Sequence, residues 1–227
     1  YCYFLQPTPK NICSMLLYSI KHYVPGYSSL AAADPPEIRP TTGIYHPEAP
    51  QLFENFEAYQ LWYEREKKQF LSPERTIGLL LMRPQIVSEA HSHYDELIEA
   101  IEAEGLGVIA AISTFMDNRQ ACRAYFLEGS FEDTTSPENS LKGLKSRVSQ
   151  IVSLTGFSFV GGPVMNDTEA SIEFLKKMNV PFRSIVSLDL QTIENWQESH
   201  IGLNPVQTAM QVAIPELDGA TESRLYG

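Results

Sequence analysis

His91 and His93 are separated by one serine in the run Glu89-Ala90-His91-Ser92-His93. The run lies between an apolar segment ending at Met82 and a helical pattern starting near Ser92, so both imidazoles fall where a strand hands over to a helix N-terminus. A helix N-terminus disfavours the protonated imidazole, and a neutral imidazole can accept a proton or bind a divalent metal. An HxH pair without a third ligand at fixed spacing does not define a metal site, and a cap region carrying surface histidines accounts for it equally well. A second group follows a later strand: Gln191, Glu194 and Trp196 supply polar atoms and an aromatic face, although Trp196 also suits a core position. Glu216 and Asp218 form a carboxylate pair near a turn that could take protons or hold a cation, with His200 a further candidate. His46 precedes Pro47 in a turn, and for a lone loop histidine a structural role is the more economical reading.

The stretch 147–163 organises the chain around these residues. Its β-branched start, Arg147-Val148-Ser149-Gln150-Ile151-Val152, suits a strand buried on both faces. It ends in Thr155-Gly156-Phe157 and then Gly161-Gly162-Pro163, where glycine lets backbone approach a ligand or simply makes a turn. In open parallel sheets ligands lie outside the carboxyl ends of strands, which puts Thr155, Gly156, Phe157, Gly161 and Gly162 at such an edge.

Upstream, residues 1–75 lack strand–helix alternation and read as a helical, Pro-rich arm or linker. Asn11 is the expected N-cap of a helix closed by Pro25-Gly26, and a second helix is expected from Phe53 to Lys68. Residues 76–227 read as an α/β domain. Strands are expected at 77–82, 108–112, 147–152 and 185–188. The expected helices start at a Ser92/Asp95 capping box, at Asn118, at an Asn166/Glu169 capping box and at Asn204-Pro205, the last stopping at Pro215. The polar, acidic segment 128–140 reads as a surface loop. The pattern predicts a doubly wound, mainly parallel sheet of flavodoxin-like or Rossmann-like type.

Composition narrows the function classes. A formal charge of −11 opposes nucleic acid or an anionic membrane as partner. Hydrophobic content of 43% with a mean hydropathy of −0.18 is that of an ordinary globular protein, and no apolar run approaches the ~20 residues of a span. Cys2, Cys13 and Cys122 are odd in number and lack CxxC spacing, so reduced thiols are expected. Neither GxGxxG nor GxxxxGK[ST] is present. The first residue is Tyr, and an excised piece of a longer protein is expected.

Several segments in one collinear order resemble the large-subunit family of magnesium chelatase and cobaltochelatase. They are Gly43-Ile44-Tyr45-His46-Pro47, His93-Tyr94, Ser153 to Pro163, Gln191 to Trp196, and Gly202 to Gln207 with Pro215-Glu216-Leu217-Asp218-Gly219. The likeness is poorest across 27–40 and 128–146, and it departs at Ser113 to Asp117, where a glycine-containing turn is expected. It is closer to the large magnesium chelatase protein than to its cobalt counterpart at His93-Tyr94 and Phe157 to Pro163. The resemblance implies a fragment of a protein that binds protoporphyrin IX and receives Mg²⁺, both as substrates, in chlorophyll or bacteriochlorophyll synthesis. It implies ATP hydrolysis on separate AAA+ subunits, I and D, and a place in the cytoplasm or a plastid stroma.

Such chemistry asks for an apolar wall, a base for two pyrrole N–H protons, and hard ligands that escort the metal. Phe157, Phe159 and Trp196 are candidates for the wall, with Thr155, Gly156, Gly161, Gly162 and Gln191 beside them. His91, His93, Glu194 and Glu216 are candidates for base or escort, and Glu216 with Asp218 for the metal. The rival expectations are a scaffold or docking module without its own porphyrin site, and cobalt insertion into a corrin precursor.

Overall fold

Short apolar strands alternate with helices in the computed structural model, which describes residues 1–29, 32–114, 116–128, 145–162, 165–188, 191–220 and 223–226. The arm opens with α1 (Cys2–Leu5) and α2 (Pro9–Tyr23). Thr8, not Asn11, caps α2: its hydroxyl accepts from the Asn11 N–H at 3.0 Å, and Pro9 takes the first helical position. Asn11 is buried inside the helix, where its amide bonds the Gln6 carbonyl and the Glu37 backbone, tying the helix to the Pro-rich connector. The next elements are β1 (Gly43–Tyr45) and α3 (Phe56–Lys67). α3 begins later than the expected Phe53 because the Asn55 side chain caps it, while Phe53 remains extended and bridges Ile44.

The alternating region runs β2 (Thr76–Met82), α4 (Arg83–Val87), α5 (Ser92–Ala103), β3 (Gly107–Ser113) and α6 (Arg119–Ala121). A π-helical turn, Cys122–Phe126, continues α6. A small antiparallel pair follows, β4 (Leu127–Glu128) with β5 (Lys145–Ser146). Residues 129–144, most of the expected surface loop, lie outside the described residues. Then come β6 (Gln150–Ser153), α7 (Thr168–Met178), β7 (Phe182–Ser187) and α8 (Ile193–Glu198). The chain ends with α9 (Pro205–Gln207), a π turn (Thr208–Ala213), α10 (Ile214–Leu217) and β8 (Arg224–Tyr226).

Three local expectations are corrected. His91 occupies the N-cap of α5 with no side-chain cap bond, because Asp95 is engaged by Tyr45 and His91 instead of reaching back to Ser92. Asp167, one residue past Asn166, caps α7 by accepting from the Ala170 N–H at 3.0 Å. The last helix passes Pro215: the preceding π turn changes the hydrogen-bond register, so Pro215 sits in the first turn of α10, where its missing N–H costs nothing.

The sheet order is β1-β3-β2-β6-β7-β8, with β1 antiparallel at one edge and the other five strands parallel. Numbered among themselves, the parallel strands run 2-1-3-4-5, the flavodoxin-like order, and the winding reverses between β2 and β6. Both faces are covered. On one, Tyr59, Trp62 and Tyr63 of α3 pack with Phe126, Phe159 and Phe174. On the other, Tyr94 and Ile98 of α5 cover Leu79, Leu81 and Ile112. Leu79, Leu80 and Leu81 are wholly buried, each contributing about 1.5–3 kcal/mol.

β1 and α3 both come from residues 1–75 and share this sheet and core. A buried polar node fixes them to α5. His46 Nδ1 accepts from the Glu48 N–H at 3.2 Å, so Nε2 donates to Glu102 Oε1 at 3.0 Å, and Lys67 Nζ lies 2.8 Å from Glu102 Oε2. His46 is thereby structural. Burial works to raise the Glu102 pKa, but the hydrogen bonds from His46 and Lys67 outweigh it and hold the carboxyl near 2. Because the folded-state pKa is depressed, this stabilisation is present above about pH 4.5 and is lost as pH falls towards 2. On the order of 2–3 kcal/mol is at stake. Urea melts between pH 2 and 5 should show that loss in the parent chain, and Glu102→Gln should flatten it.

Candidate functional site

The carboxyl ends of β2, β3, β6 and β7 share one edge of the sheet, and the switch point lies between β2 and β6. On the β6 side, Ser153 Oγ and Thr155 Oγ1 are 3.0 Å apart and buried. Gly156 follows with φ +67°, and a Cβ there would come within 3.2–3.6 Å of the Gln211 side chain. The turn after β6 is thus roofed by the π turn of the last helix. Gly161, at φ +97°, is required outright, because a Cβ would lie 1.5 Å from the Met165 carbonyl oxygen. Gly162 also has positive φ; Pro163 lies outside the described residues.

This loop is braced from two sides. Asp218 is 1% exposed, and its Oδ2 accepts from Ser158 Oγ at 2.7 Å and from the Phe159 N–H at 2.6 Å. From the other side, the Asn118 amide donates to the Phe159 carbonyl at 2.9 Å, and the Gly161 N–H donates to the Met116 carbonyl at 2.7 Å. Phe159 is core, 1% exposed against Phe174 and Phe182, so it is no ligand wall. Phe157 is half-buried.

At the β1 side, Tyr45, His91 and Asp95 converge. The Tyr45 hydroxyl donates to Asp95 Oδ1 at 2.6 Å, and His91 Nδ1 lies 2.9 Å from both Asp95 Oδ2 and the Tyr45 oxygen. Burial, then the Asp95 hydrogen bond and charge, push the Tyr45 phenol far above its ordinary range, so it stays a donor. An imidazole whose Nδ1 proton is held by Asp95 has Nε2 left as its acceptor. A cavity of about 180 Å³ opens here, lined by residues including Arg39, Tyr45, Gln51, Glu89 and His91. Glu89, at φ +59°, sets the turn that delivers His91. Nothing local marks Tyr45 and Asp95 as site residues: 50 positions separate them, and only the pairing of β1 with β3 brings them together.

His93 is half-buried, its ring 4.0 Å from that of Tyr94 and 5.8 Å from that of Tyr226. It is therefore directed towards β8 rather than to His91's partners. After β7, Trp196 is half-buried beside Gly202, and Gln191 donates to the Gly202 carbonyl at 3.4 Å. Asp189 and Leu190 lie outside the described residues. Glu194 is exposed in the first turn of α8, where bonds from its own N–H and from Thr192 hold its carboxyl below the usual range. Glu216 is exposed on α10 while Asp218, two residues on, is buried. His200 is exposed. Among the described residues no group of three or more His, Cys, Asp or Glu is gathered as a metal centre, and no helix is long and apolar enough to cross a membrane. The three cysteines are free.

Comparison with known proteins gives a consistent result. The family model described as CobN/Magnesium Chelatase matches residues 1–227. The magnesium-chelatase H subunit of Rhodobacter capsulatus is 32% identical over 229 residues, covering 99% of this chain and 17% of that protein. The corresponding H subunit of Cereibacter sphaeroides is 34% identical over 226 residues, with the same coverage of 99% and 17%. The chloroplastic magnesium-chelatase protein ChlH of Oryza sativa subsp. indica is 34% identical over 229 residues, 99% of this chain and 16% of that protein. The chain thus spans about one sixth of the length of these relatives. Among solved structures, the catalytic subunit of cobaltochelatase from Mycobacterium tuberculosis aligns with a TM-score of 0.56 at 18% identity, over 96% of this chain and 16% of that one. At that identity the likeness is one of fold.

Proposed function

The chain belongs to the CobN/magnesium chelatase family, and from that premise we propose that it is part of the large, porphyrin-binding H subunit of a magnesium chelatase. That protein binds protoporphyrin IX and receives Mg²⁺ as its second substrate, while ATP is hydrolysed on the partner subunits I and D. The product serves chlorophyll or bacteriochlorophyll synthesis, in a bacterial cytoplasm or a plastid stroma. The observation that carries this reading is the end-to-end match at 32–34% identity to proteins of that name.

Within that function the carboxyl edge is one wall of the tetrapyrrole site. Its cavities, about 180 and 230 Å³, are too small to enclose a macrocycle. The ring therefore lies against the edge over the half-buried Phe157, with Gln191 and Trp196 at its side, while the buried Thr155 and Gly156 shape the turn beneath Gln211. His91, oriented by Asp95, takes a pyrrole proton at Nε2. The exposed carboxylates of Glu194 and Glu216 are the candidate escorts for Mg²⁺, which prefers oxygen ligands and keeps its waters. Asp218 serves the wall by bracing it, since its Oδ2 is already committed to Ser158 and Phe159. His93 supports the edge through Tyr94 and Tyr226.

The small size of these two cavities also favours a shared site over a self-sufficient one, the remaining walls coming from elsewhere in the large protein; the larger cavity, about 500 Å³, lies apart from them, between α7 and the Asp218–Gly219 turn. Binding of a soluble protoporphyrin analogue, deuteroporphyrin IX, to this chain tests the reading. Saturable binding, even if weak, is expected; none would reduce the chain to a scaffold.

A further inference from the structure

Arg83 is the first residue after β2, at the carboxyl end of a strand that borders the switch point. Its guanidinium donates from Nε to the Pro40 carbonyl at 2.8 Å and from Nη2 to the Arg39 carbonyl at 3.0 Å. A guanidinium carries five N–H donors, so most of the fork remains after those two bonds. Among the described residues no carboxylate lies within ion-pair distance of it. Burial lowers its pKa from the ordinary arginine value, as happens when a cation leaves water without an anion beside it.

Arg83 also lines a cavity of about 230 Å³, together with Leu5, Gln6, Thr41, Pro84 and Thr114. Thr114 directly follows β3, and Leu5 and Gln6 belong to the arm, so the cavity sits at the carboxyl ends of β2 and β3 under α1. Its size suits a short chain ending in a polar head. Leu5 and Pro84 offer apolar surface for methylenes, and the guanidinium offers a planar fork that matches a carboxylate. One cation with no cluster of lysines or backbone N–H groups, on a chain of net charge −11, is a poor receptor for a polyanion such as a nucleotide.

We propose that Arg83 is a carboxylate-binding residue, and that the carboxylate it takes is a propionate side chain of the tetrapyrrole whose ring lies over the switch point. The identity of the acid rests on the reading under Proposed function; the carboxylate site rests on the placement of Arg83. Arg83 thereby selects acidic tetrapyrroles and fixes the in-plane orientation of the ring.

Two arms test this separately. In the first, the Arg83 side-chain Nε resonance is followed during titration with sodium propionate against sodium chloride at constant ionic strength. In the second, affinities for deuteroporphyrin IX and its dimethyl ester are compared in the parent chain, Arg83→Lys and Arg83→Met. A saturable propionate-specific shift is expected. The diacid should bind about tenfold or more tightly than the diester in the parent, as for a charge-assisted hydrogen bond. That ratio should collapse in Arg83→Met and shrink in Arg83→Lys, with diester affinity unchanged. Arg83→Lys keeps the charge, so it carries the test should Arg83→Met fail to fold. No propionate shift with equal binding of both porphyrins would overturn the proposal, leave the porphyrin reading standing, and make Arg83 only a strap on the connector. A propionate shift with no porphyrin binding would uphold the carboxylate site and sink the porphyrin reading.

Discussion

Gly161→Ala is expected to cost about 3–5 kcal/mol, at the severe end for a single substitution. Two effects combine. The residue sits at φ +97°, where an L side chain is strained, and its Cβ would fall 1.5 Å from the Met165 carbonyl oxygen and 2.9 Å from the Asn166 Cα. Those atoms are backbone, so no side-chain rotation relieves the overlap and the loop after β6 must move. For a chain of this length the loss corresponds to a fall in Tm of about 10 °C. Gly26→Ala is the control: its φ is +88°, yet nothing lies within 4 Å of the added carbon, so only the conformational cost of roughly 1–2 kcal/mol remains. Equal effects at both positions in urea denaturation would show that the Gly161 turn is not built as described.

Asp218→Ala should destabilise the chain by a similar amount, about 3–5 kcal/mol, because it strips two charge-assisted bonds from groups that are buried. The Phe159 N–H would lose its acceptor, and the wholly buried Ser158 Oγ would keep only the Val160 carbonyl, 2.9 Å away. Asp218→Asn keeps an oxygen that can accept both bonds and should cost only about 1–2 kcal/mol. The pair separates two roles for this carboxylate. A brace predicts a graded loss of stability with no dependence on Mg²⁺. A metal escort predicts little change in stability for either variant and a loss of Mg²⁺-dependent behaviour instead.

Much of the scaffold is legible because it is written locally. The runs Ile77 to Met82 and Val108 to Ile112 are too apolar for anything but strands buried on both faces, and the stripe Tyr94, Leu97, Ile98, Ile101 is that of a helix covering them. Asn204-Pro205 announces a cap and a first turn, and both form there. Other features are tertiary. Gly43–Tyr45 is too short to show a period and is a strand only because β3 offers it an edge. Arg224–Tyr226 likewise depends on β7. Caps slip where adjacent polar residues compete, as Asn166 does with Asp167, or where a partner distant in sequence claims the side chain, as Tyr45 does with Asp95.

The candidate site divides the same way. The strand–turn pattern alone places Thr155-Gly156 at a strand's carboxyl edge, and the sheet order makes that edge one side of the switch point. The pairing of His91 with Asp95 and Tyr45, the roof of Gln211 over Gly156 and the burial of Asp218 all depend on contacts across the fold. Arg83 leaves one local trace, a charge immediately after a buried apolar strand.

Whether tetrapyrrole lies against the carboxyl edge decides the function proposed for this chain. The decisive measurement is a titration of the chain with deuteroporphyrin IX, following tryptophan fluorescence in the parent, Trp62→Phe and Trp196→Phe. Trp62 is packed into the core beside Tyr59, whereas Trp196 is half-buried after β7. The predicted result is saturable quenching that survives Trp62→Phe, is largely lost in Trp196→Phe, and weakens in His91→Ala. Absence of saturable quenching, or quenching indifferent to Trp196 and His91, would contradict it.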